Sequence, residues 1–304
     1  MALLNNGRIN MAITNRFLRY SYHKSPSIDS LVTHGEIELP EGVMEDGIIA
    51  NVPVFEEVIN KLVKENKWRG KKLFFCMPDD TVVIRKLQIP VSLTKEESIG
   101  YIKTQIGNSF YLPFTNPAIA VENLDADEKE RNVLLYAYPN DKILAFKNAF
   151  EDKGLKPVVA DLTSLSVYRY YYQQKQVDKE NILLIHWNQD ALFLTAFKEH
   201  KAVFTRHMKL SYSDEKVEDT KENINRLINE HLIEINRIID FYQYSITKGQ
   251  SSINLLLLSG DFPYLTDVRK MLSDNVQIPL HQFSEEKLPV KYLDIVGLAI
   301  KNEV

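Results

Sequence analysis

The side chains that could do chemistry are few and scattered along this chain. Its single cysteine, Cys76, sits in Leu73-Phe74-Phe75-Cys76-Met77. That setting suits a buried thiol packing as a small hydrophobe, because a reactive thiolate needs an electropositive, accessible neighbourhood. One cysteine also excludes an intramolecular disulfide. The seven histidines are His23, His34, His186, His200, His207, His231 and His281. None are paired at a spacing that would set two metal ligands on one predicted helix, so no metal site is expected. No serine lies in Gly-x-Ser-x-Gly, and no glycine run ends in Gly-Lys-Ser/Thr. The acyl-transfer nucleophile and the P-loop phosphate cradle therefore both lack a motif, and no catalytic residue is assigned.

Composition narrows the class further. At 304 residues the chain fits one large or two ordinary domains. A formal charge of −4 with interspersed signs argues against a nucleic-acid footprint. No apolar run is long enough to cross a bilayer, and residues 1–7 lack the basic start and apolar core of a leader. A cytoplasmic location is the resulting expectation.

The elements that would position a site come from periodicity. Strands are predicted at 8–13, 16–22 and 32–39, a helix at 54–65 and a strand at 72–77. Residues 83–90 alternate as a strand and stop at Pro90. Thr94 and Glu97 then form a capping box. Ile99, Ile102, Ile106 and Phe110 continue as one helical face until Pro113. Strands at 117–124 and 132–138, a helix at 141–153 and a strand at 155–161 follow. Residues 162–174 make a tyrosine-rich helix. Strands at 181–187, 191–198 and 201–208 repeat the three-strand opening. The longest helix spans 219–247, capped by Asp219 with Glu222. A strand at 252–259, a helix at 264–274, a strand at 276–280 and a helix at 292–302 end the chain. The duplication predicts two similar α/β lobes with a cleft between them.

Several motifs carry a family resemblance. They are Leu87-Gln88-Ile89-Pro90, Leu93-Thr94-Lys95-Glu96-Glu97, Tyr111-Leu112-Pro113-Phe114 and Gly154-Leu155-Lys156-Pro157 with Val159 and Asp161. Later ones are Glu234-Ile235-Asn236-Arg237 with Phe241-Tyr242, then Leu258-Ser259-Gly260, then Val296-Gly297-Leu298-Ala299. Together they resemble the PilM family, the actin-like assembly proteins of type IV pili. The resemblance implies an α/β, actin-like (ribonuclease H-like) two-lobed fold with a small inserted α+β subdomain. Its expected parts are residues 1–77 (first core), 78–161 (insertion), 162–180 (a returning helix), 181–291 (second lobe) and 292–304 (a terminal helix on the core).

The resemblance also implies a nucleotide cleft, and here the sequence departs from it. Actin-like ATPases hold phosphates in two Asp-x-Gly turns and seat adenosine on a Gly-Gly turn. Ala12 and Thr14 occupy the first turn's positions, His186 and Asn188 the second's, and Ser259-Gly260-Asp261 the third. The remaining candidates for a degenerate cofactor site are Thr14, Asn15, Asp161, Asn188, Ser259 and Gly260. Asp161 reads equally as the cap of the helix that follows it. The expectation is no firm cofactor, with ATP and Mg held weakly at most, and no hydrolysis.

The implied partner is the N-terminal cytoplasmic peptide of a PilN-like membrane protein. It would lie extended in a groove between the first core subdomain and the insertion, and tie the chain to the inner face of the plasma membrane. Ile99, Ile102, Ile106 and Tyr111 are the candidate contacts. The resemblance further admits a pilus motor ATPase or platform protein as a partner, and self-association. Two competing expectations are an active ATPase whose lobe closure regulates assembly, in a type IV or competence pilus, and an FtsA-like filament former. The latter class usually carries an amphipathic C-terminal helix, and this sequence stops at Lys301-Asn302-Glu303-Val304.

Overall fold

Arg8–Ile13 (β1) and Phe17–His23 (β2) pair antiparallel, and Leu31–Glu38 (β3) extends the meander. Every residue of β1 is buried, as in a strand covered on both faces. A two-stranded hairpin follows, Met44–Glu45 (β4) and Ile48–Ile49 (β5). Val52–Asn66 (α1), capped by the Asn51 side chain, then crosses to Lys72–Met77 (β6) beside β1. The computed structural model describes residues 7–175, 181–210 and 220–303. The sequence readings at 1–6, at 176–180 and at Asp219 lie outside them.

After β6 the chain leaves the first sheet. Val83–Pro90 (β7), Lys95–Gln105 (α2), Pro117–Ala126 (β8) and Glu130–Pro139 (β9) build a separate sheet of order β7-β9-β8. Both halves of the predicted capping box are made: Thr94 Oγ1 accepts from Glu97 N, and the Glu97 carboxylate accepts from Thr94 N. The predicted extension of α2 to Phe110 is corrected. The helix stops at Gln105, Gly107 takes φ +85°, and Ile106 bridges back to Phe110.

Asn140–Asp152 (α3) and Lys156–Leu162 (β10) then return to the first lobe. Phe146 and Phe150 of α3 pack with Phe55 and Phe75, and β10 pairs parallel with β6. The predicted unit of 78–161 thus divides: only its part up to β9 stands apart, and the rest completes a sheet of order β10-β6-β1-β2-β3.

Thr163–Lys175 (α4) leads to the second lobe. Asn181–Trp187 (β11), Ala191–Lys198 (β12) and Lys201–Lys209 (β13) repeat the meander. Lys221–Phe241 (α5) is capped by Thr220, which accepts from Asn223 N, and a π-helical turn at Tyr242–Ile246 prolongs it. Leu255–Ser259 (β14), Leu265–Asn275 (α6) and Leu280–His281 (β15) finish the lobe, and Leu293–Ala299 (α7) returns to pack on β1, β6 and α4. The predicted strand at 276–280 is confined to Leu280–His281, and the last helix is shorter than 292–302. The second sheet runs β13-β12-β11-β14-β15, the same arrangement as the first.

Each lobe has its own apolar core, and a third cluster joins them through α4 and α7. These two helices cross at Gly297, where a Cβ would lie 1.9 Å from Ser166 O. Only glycine permits that approach.

Candidate functional site

The cleft between the lobes forms where the β1–β2 and β11–β12 turns face each other. Thr14, Asn15 and Asn188 line it, together with Asp79, Asp80 and His207, around a free volume of only about 30 Å³. That is room for about one water molecule.

Several backbone amides that such turns would offer an anion are already used. Thr14 Oγ1 accepts from Arg16 N (3.2 Å) and Phe17 N (2.9 Å). Across the cleft, the Asp261 carboxylate accepts from Gln189 N (2.9 Å), and Asn188 Oδ1 accepts from Asp261 N (3.2 Å). The start of α4 is occupied in the same way, since Thr163 N and Ser164 N donate to the two carboxylate oxygens of Asp79 at 2.7 and 2.8 Å. Burial pushes the Asp79 carboxyl up to about 6, against those hydrogen bonds. The β4–β5 tip closes the mouth: Gly47 N donates to Asn15 Oδ1 (3.0 Å), and Asp46 pairs with Lys209 of the second lobe (3.0 Å).

Behind the turns, Arg19 of β2 is fully buried among three carboxylates. It pairs with Glu36 at 2.7 Å, with Asp261 of the second lobe, and with Asp294 of α7 at 3.4 Å. Burial opposes the guanidinium charge, but the Asp261, Asp294 and Glu36 carboxylates outweigh it and raise the Arg19 pKa. Burial lifts Asp294 to about 6 despite Arg19. His186, at the position the resemblance gives to a metal-handling aspartate, is buried, and burial first and then Arg19 push it down to about 3. Its Nδ1 meets Ser259 Oγ at 2.8 Å.

Three of the predicted cleft residues are placed elsewhere. Asp161 points away from the cleft and pairs with Arg169 (2.7 Å) and Lys301 (2.8 Å). Nor does it cap α4, since Asp79 does. Ser259 is buried against His186, and Gly260, at φ +118°, lies so close that a Cβ would be 2.0 Å from Trp187 O. Neither lines the free space of the cleft. The two edges that a glycine-rich turn would leave open are therefore packed together.

A larger site lies between the first lobe and the small sheet. It is a groove of about 340 Å³, within the range of ligand sites. Ala118, Ala120 and Glu122 of β8 form one side, and Ala160 and Leu162 of β10 with Leu165 of α4 form the other. β8 and β10 are each the last strand of their sheet, so two unpaired strand edges border the groove. Tyr136 and Tyr138 of β9 form its floor. Tyr138 Oη donates to Pro78 O at 2.9 Å, fixing the small sheet on the first lobe.

None of the predicted partner contacts reaches this groove. Strand alternation sends Val133, Leu135 and Ala137 to the α2 side of the small sheet and Tyr136 and Tyr138 to the other. Ile102 is fully buried in the α2-side core and Ile106 packs against it, which corrects their assignment to an exposed binding face. Ile99 is half-buried on α2, and Tyr111 is exposed beyond it. Of the predicted site residues Asp161 alone lines this groove, and the alanines at 118, 120 and 160 escape a sequence reading because they carry no motif.

Comparison with known proteins identifies the framework. A family model described as type IV pilus assembly protein PilM matches residues 23–219. The chain belongs to the PilM family. No curated protein sequence matches it. Among solved structures, the PilM-PilN type IV pilus biogenesis complex is similar with a TM-score of 0.77 at 17% identity, covering 97% of this chain and 99% of that one. A Bacteroides thetaiotaomicron protein with an actin-like ATPase fold matches at TM-score 0.52 and 10% identity, covering 98% and 97%. MreB5 of Spiroplasma citri, bound to ADP in its structure, matches at 0.54 and 10%, covering 97% and 95%. The fold of this family member is actin-like, as the resemblance implied, and its two lobes repeat one meander, as the duplication predicted.

Proposed function

We propose that this protein is a scaffold of the pilus assembly machine at the cytoplasmic face of the membrane. It holds an extended N-terminal segment of a PilN-like membrane protein in the groove between β8 and β10. The observation that carries this reading is the groove itself, an apolar channel of about 340 Å³ between two unpaired strand edges. An extended peptide gains main-chain hydrogen bonds by adding to such an edge, while alternate side chains enter the channel. Ala118, Ala120 and Ala160 leave the space those side chains need. Among the described residues no helix is long and apolar enough to cross a membrane, and the link to the bilayer is assigned to the partner's own segment.

The nucleotide site is degenerate in this reading, and hydrolysis is absent. Three observations support that: the 30 Å³ of free space, the amides already satisfied by Thr14, Asn188, Asp79 and Asp261, and the neutral His186 in place of an acid. The ion cluster of Arg19 performs the bridging between lobes that a bound nucleotide and metal would otherwise perform.

Calorimetric titration of the full chain with a synthetic N-terminal peptide of the PilN-like protein tests the groove. Micromolar binding is expected. Ala120→Arg, at an exposed position that leaves the fold intact, should weaken it at least tenfold. Equal affinity for the variant places the peptide elsewhere.

A further inference from the structure

The back face of the small sheet rests on both lobes: β7 lies against β13 of the second, and Tyr136 adds a hydrogen bond to it. Its ring floors the groove and packs against the interlobe cluster that holds Phe197 and Ala202. Its hydroxyl carries one hydrogen and lies between two acceptors. Glu122 Oε2, on the groove's own edge strand, is 3.0 Å away, and Ala202 O, on β13 of the second lobe, is 3.1 Å away. Burial first, and then the Glu122 carboxylate, hold the phenol far above its ordinary pKa, so the hydroxyl stays a donor.

One hydrogen cannot serve both acceptors fully. A carboxylate is the stronger acceptor, so Glu122 draws the hydrogen away from the lobe contact. Glu122 is also exposed and lines the groove, where an occupant's N–H or ammonium group can reach it.

We infer that Tyr136 couples occupancy of the groove to docking of the small subdomain on the second lobe. An occupant that satisfies Glu122 releases the Tyr136 hydrogen to Ala202 O, and the small sheet closes more tightly on β13. The coupling rests on the proposed peptide groove for its occupant. The switch itself rests on Tyr136, Glu122 and Ala202 alone.

Hydrogen exchange of the full chain separates the two. In the ligand-free protein, Glu122→Ala removes the competing acceptor and should slow exchange of residues 83–90 and 201–209 by about fivefold, the effect of one neutral hydrogen bond. The double variant Tyr136→Phe/Glu122→Ala should show no such slowing relative to Tyr136→Phe. Unchanged or faster exchange in Glu122→Ala, or slowing that persists in the double variant, overturns the switch. Saturating synthetic PilN-like peptide should slow the same segments in the wild type and add nothing in Glu122→Ala. Peptide that binds without slowing residues 201–209 overturns the coupling and leaves the groove. A failure of the peptide to bind, beside a positive Glu122→Ala result, overturns the occupant and leaves the switch.

Discussion

Replacing Arg19 with methionine should cost this protein several kcal/mol, and the cost should depend on pH. Arg19 is buried against three carboxylates, but they would not suffer equally from its loss. Glu36 keeps Lys291 at 2.8 Å, and Asp261 keeps the Gln189 amide at 2.9 Å. Asp294 keeps only the amide of Ile295, at 2.7 Å, and is itself buried, so it bears the main penalty. Removing one partner of a buried ion pair costs about 3–5 kcal/mol. The sign with pH follows from the carboxyls that burial has lifted. Asp294 stands at about 6 even beside Arg19, and Asp261 is also raised. Without the guanidinium both rise further, so the folded state binds protons that the unfolded state releases. Stability is then greatest below the ordinary carboxylate pKa and is lost as pH rises through the raised one. The variant's deficit should therefore be larger at pH 8 than at pH 5. Urea unfolding at both values measures it. Trp68 reports on the first lobe's core and Trp187 on the second's, so single-tryptophan versions read each lobe separately. Loss of the Arg19–Asp261 tie should let the two transitions separate. A deficit below about 1 kcal/mol, equal at both pH values, with coincident transitions, would refute the interlobe role of this cluster.

Two further perturbations follow from the same packing. Gly297→Ala should destabilise by about 1–3 kcal/mol or more in urea melts, because its Cβ would lie 1.9 Å from Ser166 O at the α4–α7 crossing. Gly100→Ala in α2 meets nothing within 4 Å, so it should gain up to about 1 kcal/mol, and equal effects at both sites would dissociate glycine spacing from packing. Asp79→Asn removes a buried carboxyl held near 6 by burial. The wild type therefore loses stability from this group between about pH 4 and 6, and the variant does not. Its deficit relative to wild type should shrink by up to about 3 kcal/mol between pH 4 and 7 in paired denaturation curves. A deficit that grows over that range would show that the Thr163 and Ser164 amides outweigh desolvation at this site.

The lobes were legible in the sequence because their signals are local. The run 253–258 reads as a buried strand, though the strand starts at Leu255, the alternation at 83–90 matches β7, and Thr94 with Glu97 fixes where α2 begins. The end of α2 was not legible, because Ile106 and Phe110 keep helical spacing while Gly107 reverses the chain at φ +85°. The insertion's limits misled for a related reason: α3 and β10 continue its pattern, yet β10 pairs with β6, its Lys156 opposite Lys72 and its Leu162 opposite Met77. Sites assembled from distant residues were invisible. Arg19 meets Asp261 and Asp294 over separations of 242 and 275 residues, and no spacing rule connects them. Apolar residues on α2 attracted the partner assignment because exposed and core-facing isoleucines look alike in sequence, whereas the groove announces itself only through alanines that leave space.

Structure and proposed function meet in the contrast between the two cavities. The interlobe cleft is filled by the chain's own hydrogen bonds and charges, and the groove beside the small sheet is open. The most direct test is one calorimetric series: the N-terminal PilN-like peptide titrated into the full chain with and without Mg-ATP. The account predicts micromolar binding that Mg-ATP leaves unchanged, with no heat from Mg-ATP alone. Peptide binding that appears only with Mg-ATP would contradict it, because the cleft turns would then still govern the groove.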